Sequence, residues 1–269
     1  MSGPGGPRSG KIVTRHGEWR APAMTTSQII FGLAVFLLAG TVKGLVGLGL
    51  PTITIALTSL VLPLPEAIAL ISLPTIVSNV WQAAVGGKFW IILRRQWPLI
   101  VPLAIALYLT VWLIGQKGPN WAFLVLAAVL ILYSGLGLLR IRLHIHADLE
   151  RPLAPVIGVV SGFIAGLVGV PVVPLMPYLQ GLDIKPTELV QTLGVVLCAT
   201  SLTLTASLLY FGLLDGPRAI VSAAAVVPAL AGMWMGQQVR LRLSIEQFRL
   251  AVFWALLLTG VYTFASRVL

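Results

Sequence analysis

The sequence predicts an all-α polytopic membrane protein made of two repeats of about five helical segments each, related by inversion, with short Gly/Pro-broken helices at the centre. Three observations predict it. Of 269 residues, 58% are hydrophobic and only 10% are charged, which is outside the make-up of soluble globular domains. Most of the apolar stretches run close to the ~20 residues that a helix needs to cross a bilayer. Finally, Gly44-Leu45-Val46-Gly47 recurs as Gly166-Leu167-Val168-Gly169, 122 positions later, and Gly40 and Gly162 precede the two copies at the same offset.

Residues 1–26 are rich in Gly, Pro and Arg and lack periodicity, so they read as a disordered basic tail. The tail has no apolar core of its own and is not a signal peptide. A first repeat, 27–140, carries segments at 28–47, 50–62, 66–86, 90–114 and 120–139. A charged loop, 141–152, leads to a second repeat, 153–269, with segments at 153–170, 171–182, 187–211, 217–237 and 247–267. The stretches 50–62 and 171–182 are too short to span and predict half helices or re-entrant pieces. Further matches follow in order: Pro65-Glu66 with Pro186-Thr187-Glu188, Ser78-Asn79 with Thr200-Ser201, and Gly115-Gln116 with Gly236-Gln237. Transporters built from such repeats bind substrate where the repeats meet, at discontinuous helices.

A net charge of +10 would suggest nucleic acid in a soluble protein, but here the basic residues are dispersed at the flanks of apolar runs, as loop anchors are. No nucleic-acid partner is expected. Two topologies compete. Five segments per repeat invert the copies and put Lys88, Arg94, Arg95, Arg140, Arg142, Arg151, Lys185, Arg240 and Arg242 in cytoplasmic loops, with the basic tail outside. If each short segment only completes the crossing before it, eight crossings form parallel repeats with the tail inside, and more positive charges are then cytoplasmic. Interrupted segments at matching places in two halves favour inversion. Trp90, Trp97, Trp112, Trp121, Trp234 and Trp254 fall mostly near segment ends, as interfacial anchors do.

The chemistry gathers at the breaks. Gly40, Gly44, Gly47 and Gly49 clear side chains from the chain before Pro51 ends the helix, because proline lacks a donor and clashes with the preceding turn. The next segment, starting near Pro51-Thr52, would offer free amides and a partial positive charge to an anion. Lys43 adds a full charge where a charge is costly unless it is used. The second copy has Gly162, Gly166, Gly169, Pro171 and Pro174, but Ala165 in place of the lysine, so one charge fits one anion site between the halves. Two plainer roles compete: the Gly-x-x-x-Gly pairs also let membrane helices touch backbone to backbone, and a lysine near a segment end can snorkel to the headgroups.

Ser78, Asn79 and Gln82 follow helical spacing beside Trp81, and Asn79 and Gln82 share a face; their amides are expected as neutral donors to the anion. The counterpart segment offers Thr200 and Ser201 among other hydroxyls, for which interhelical hydrogen bonding is the competing role. Glu66 and Glu188 follow prolines at helix starts, where a carboxylate satisfies free amides and the helix dipole. The single Cys198 excludes an internal disulfide, and three histidines form no metal cluster of the usual spacing. Neither a cofactor nor a metal is expected. No Walker-type loop and no nucleophile with a base at membrane depth point to an enzyme or a pump. A cation carrier is disfavoured by Lys43, and a nontransporting sensor or assembly protein would use the packing glycines equally well. The apolar outer faces would meet lipid or a second protomer in a homodimer.

The run Ala39-Gly40-Thr41-Val42-Lys43-Gly44-Leu45-Val46-Gly47-Leu48-Gly49-Leu50-Pro51, with its weaker copy Ser161-Gly162-Phe163-Ile164-Ala165-Gly166-Leu167-Val168-Gly169-Val170-Pro171, resembles the sulfite exporter TauE/SafE family. Length, duplication and the turn Phe211-Gly212-Leu213-Leu214-Asp215 fit as well. The chain departs from the commonest family pattern at Leu50 and at Val170-Pro171-Val172, where a run of adjacent glycines would stand. The resemblance implies movement of sulfite, sulfonates or related organosulfur anions across the bacterial cytoplasmic membrane. The expected substrate site comprises Lys43, Gly44, Gly47, Gly49, Asn79, Gln82, Gly166, Gly169, Thr200 and Ser201, with Pro51, Pro171 and Pro174 as the helix-breaking residues.

Overall fold

The computed structural model describes residues 26–115, 119, 121–140, 144–240 and 245–268. The predicted tail, apart from Thr26, lies outside the described residues, as do Gln116, Arg142 and Arg242. Every regular element among the described residues is helical: α1 Thr26–Val46, α2 Leu50–Thr58, α3 Leu64–Ala84, α4 Phe89–Thr110 with a π-helical turn at Val111–Gly115, and α5 Ala122–Leu138. The second half follows with α6 Ala147–Val168, α7 Val172–Gly181, α8 Pro186–Tyr210, α9 Gly216–Arg240 and α10 Ile245–Val268. Six helices are long and apolar enough to cross a membrane, namely α3, α4, α6, α8, α9 and α10. At ~1.5 Å per residue, the nine residues of α2 cover about 14 Å, under half of a ~30 Å hydrocarbon core.

The expected loop 141–152 is shorter than predicted, because α6 begins at Ala147 rather than at 153. Asp148 and Glu150 in its first turn suit the positive end of the helix, and Arg95 of α4 clasps Glu150 with two bonds of 2.7 Å. Arg94, Arg95 and Arg151 are likewise helical residues near helix starts, not loop residues.

Packing is reciprocal between the halves. Gly40 and Gly44 of α1 lie on the carbonyls of Ala229 and Met233, and Gly232 and Gly236 of α9 lie on those of Leu37 and Thr41; a β-carbon at any of the four would fall 2.1 Å from the oxygen. Residue numbers rise together along this contact, so α1 and α9 run parallel. In the same way, Gly158, Gly162 and Gly166 of α6 lie on the carbonyls of Leu99, Leu103 and Leu107 of α4. The packing role of the Gly-x-x-x-Gly pairs is thus realised in both halves. In contrast, α3 meets its counterpart α8 in antiparallel fashion: Asn79 reaches Leu197 and Ser201, whereas Gln82 and Ala83 reach Val190 and Gln191. The pair α5 and α10 is antiparallel too, with Gly137 on Phe253 and Gly260 on Leu130.

One pin crosses the halves at a proline. Pro74 inside α3 has no N–H for the Leu70 carbonyl, and Ser222 of α9 donates to that oxygen at 2.9 Å while accepting from the Leu73 amide at 3.1 Å. The freed backbone groups are satisfied without water.

Candidate functional site

Both breaks are built by glycine at the same place in each half. Gly47 has φ +83° and its equivalent Gly169 has φ +78°, left-handed conformations that end α1 and α6. In the first half Gly49, φ +107°, then starts α2, whose first backbone bond runs from the Ile53 amide to the Gly49 carbonyl at 2.8 Å. The chain folds back here, since a β-carbon on Gly49 would meet Val42 at 3.2 Å. In the second half Val173, with φ −118° and ψ 127°, interrupts α7 just before Pro174.

Lys43 does not snorkel. It is 3% exposed, and its Nζ donates to Ser78 Oγ at 3.0 Å and to Asn79 Oδ1. Ser78 can accept because its own proton goes to the Thr75 carbonyl at 3.1 Å. Among the described residues no carboxylate lies within ion-pair distance of Lys43; the ion pairs Lys88–Glu188, Arg95–Glu150 and Arg218–Asp215 do not involve it. An ammonium carries three donors, so two neutral bonds leave one donor and the whole charge unanswered.

The neutral donors are arranged differently from expectation. Asn79 Nδ2 donates to the Leu197 carbonyl at 3.0 Å and reaches Ser201 Oγ at 3.4 Å. Gln82 Nε2 is spent on the carbonyls of Gly47 and Val190 at 3.1 and 3.0 Å, and its Oε1 is buried without a partner. Thr200 and Ser201 donate to their own helix at Val196 and Cys198. These four groups brace α1, α3 and α8 as the structure stands, so the amide donors anticipated for an anion are committed. Uncommitted hydroxyls occur at Thr75, which the sequence did not single out, and at Thr205, one of the further hydroxyls of the segment that carries Thr200 and Ser201; they are 7% and 5% exposed and unpartnered. Their spacing does not distinguish them from the hydroxyls that bond back into their own helices.

Two cavities flank this cluster. One, about 450 Å³, is lined by Lys43, Gly44, Gly47, Gln82, Gly86 and Gln191, with Trp81 and Val85, 59% and 57% exposed, also on its wall. We refer to it as the vestibule. The other, about 20 Å³, lies at the centre between Pro51 of α2, Gly169 and Pro171 of the second break, and Asn79, Thr200 and Ser201 of the antiparallel pair. Thr75 and Thr205 also line it. It has room for about one water molecule, which needs ~10–15 Å³. Asn79 separates the two, facing Lys43 with its oxygen and the central cavity with its amide. Of the expected site residues, Gly49 instead packs on Val42 and Ile53, and Gly166 packs on Leu107 and Thr110 of α4.

The vestibule lies at a basic end of the bundle. Gly86 is followed by Lys88, which pairs with Glu188 at 2.8 Å, next to the lining residue Thr187. Glu188 occupies the first turn of α8 as expected for a carboxylate at a helix start, and it also ties α8 to the start of α4.

The profile of sulfite exporter TauE/SafE proteins matches residues 32–263 and so spans both breaks, Lys43 and both halves of the bundle. The chain belongs to the TauE/SafE family. No curated protein and no solved structure matches it. TauE/SafE is a family of membrane transporters, which fits the six apolar spanning helices and the charged residue held at a helix break. Among the described residues, no group of three or more His, Cys, Asp or Glu side chains gathers where a metal ion would sit.

Proposed function

We propose that this TauE/SafE protein is a secondary permease for small sulfur oxyanions or organosulfur anions, such as sulfite or sulfonates, in the bacterial cytoplasmic membrane. The observation that carries this reading is Lys43: a buried ammonium with only neutral partners, on the wall of a 450 Å³ vestibule at a helix break. Insertion scales put a lysine at the helix centre at a cost of about 2.5–3.5 kcal/mol. Hydrogen bonds to Ser78 and Asn79 offset part of that cost, and an anion would offset the rest. The family supports a sulfur oxyanion over other anions.

The anion enters the vestibule, takes the free donor of Lys43 and competes with Asn79 for the ammonium. Release of Asn79 loosens its bonds to Leu197 and Ser201, which hold α3 to α8, and opens the way to the central cavity. There Thr75 and Thr205 have unspent hydroxyls, and the starts of α2 and α7 at Pro51 and Pro171 add partial positive charge. Access then switches by rocking of the two halves. The antiparallel meetings of α3 with α8 and of α5 with α10 support the inverted relation that such switching uses.

The test is sulfite and small-sulfonate flux in proteoliposomes, comparing the intact protein with Lys43→Ala at matched incorporation. Flux in the intact protein that Lys43→Ala loses is the expected result. Equal flux in both would remove the charge from the mechanism, and no anion flux in the intact protein would favour a cation carrier or a nontransporting sensor.

A further inference from the structure

The vestibule has a closed twin. A small apolar pocket, about 20 Å³, lies among Gly166, Leu208, Pro65, Ile68 and Val111. Gly166, Leu208, Pro65 and Ile68 are the counterparts, 122 positions away, of residues lining the vestibule, Gly44, Gly86, Thr187 and Val190, and Val111 stands one turn beyond Leu107, which lies under Gly166 as Met233 of the vestibule lies under Gly44. The correspondence takes in α1, α8 and the α3–α4 turn on the vestibule side and α6, α3 and α8 in the twin, so it is a property of the bundle rather than of one motif.

What differs is the lining and the access. Ile68, Val111 and Leu208 are 5%, 1% and 4% exposed, against 59% and 57% for Trp81 and Val85 on the vestibule. Gly86 on the vestibule corresponds to Leu208 in the twin, and Lys43 corresponds to Ala165, which is fully buried. Gln82 and Gln191, which clamp α3 to α8 beside the vestibule, correspond to Leu204 and Ala69. The central cavity lies between the two, lined by Asn79 of the vestibule-side cluster and by Leu204 and Gly169 of the other half.

We propose that the twin pocket is the closed gate of the permeation path: the opposite mouth, which opens as the vestibule shuts. This rests on the permease reading above. Packed leucine, isoleucine and valine side chains exclude water and keep the path dry, and opening them requires hydrating that surface. The polar vestibule needs no such step, so the state open at Lys43 predominates without substrate. Among the described residues that line the three cavities Lys43 is the one cation, so an anion meets it on the vestibule side and leaves over an apolar exit that holds it weakly.

The reporters are Val111→Cys and Met233→Cys, one on the wall of each cavity, each in a Cys198→Ser background and labelled with a maleimide in proteoliposomes. In the resting protein Met233→Cys should react at least about tenfold faster, as a minor state of about 10% or less requires. Leu208→Ser, which hydrates the plug, should speed labelling at 111 and slow it at 233 without any substrate. Leu208→Met should leave both rates as they were and serves as the folding control. Sulfite, as the probe anion, should produce the same reciprocal change. Reciprocal change with Leu208→Ser but none with sulfite keeps the gate and removes sulfite as the cargo. Labelling at 111 that stays slow with Leu208→Ser, or that rises while 233 is unaltered, overturns the proposal, because the twin would then be an ordinary packed core or a locally breathing one.

Discussion

Lys43 can be held inside the bundle only because Ser78 and Asn79 turn oxygen lone pairs toward it, and both are neutral. Replacing Asn79 by aspartate would supply the missing counter-charge from the protein itself. Asn79→Asp should therefore fold at least as stably as the parent while its KM for the anion rises at least about tenfold, equivalent to about 1.4 kcal/mol. A KM unchanged in this variant, measured by flux, would show that the ammonium does not face the anion. The sequence made Lys43, Asn79 and Gln82 legible as a cluster, because a rare charge and two amides stood at matched spacing in apolar surroundings. It did not reveal which donors were free: Gln82 and Asn79 spend theirs on carbonyls of α1 and α8, and only the packed helices bring those carbonyls within reach.

The glycines belong to elements rather than to ligands. Gly236 of α9 lies on the Thr41 carbonyl with a would-be β-carbon at 2.1 Å, whereas Gly135 of α5 has nothing within 4 Å. Gly236→Leu should separate α1 from α9 and lower the thermal midpoint sharply, the result of overpacking that costs about 1–3 kcal/mol or more. Gly135→Ala should be neutral or mildly stabilising, by up to about 1 kcal/mol. Equal midpoints for the two variants in a detergent melt would contradict the backbone contact. Helix boundaries were legible from apolar runs to within a few residues, with α6 the largest miss. Its first turns carry Asp148, Glu150 and Arg151, and charge reads as loop until the bond to Arg95 is seen. The pin from Ser222 to the carbonyl orphaned by Pro74 had no signal beyond the proline itself, since its partner lies 152 residues away.

At the scale of the whole molecule, the basic residues Lys88, Arg95 and Lys185 collect at the end where the vestibule lies. By the positive-inside tendency we propose that end as the cytoplasmic one. An impermeant thiol reagent should then label Lys185→Cys only from the cytoplasmic side and Leu60→Cys, 45% exposed near the start of α3, only from outside. Labelling of both from one side would refute the inverted arrangement and return the eight-crossing parallel one. The repeated motif was legible because Gly40, Gly44 and Gly47 keep one offset from Gly162, Gly166 and Gly169. The unequal charge of the halves, Lys43 against Ala165, was legible as well, but their unequal access was not, since closure depends on how Leu208, Ile68 and Val111 meet across three helices.

The most direct test of the central claim, that Lys43 answers an anion, is the thermal midpoint of the purified protein with and without sulfite, set beside that of Lys43→Met. Binding at a hundredfold excess over Kd stabilises the folded protein by about 2.7 kcal/mol, so sulfite should raise the midpoint of the parent and leave that of Lys43→Met where it was. An equal rise in both would contradict the account, because the anion would then be bound without the lysine.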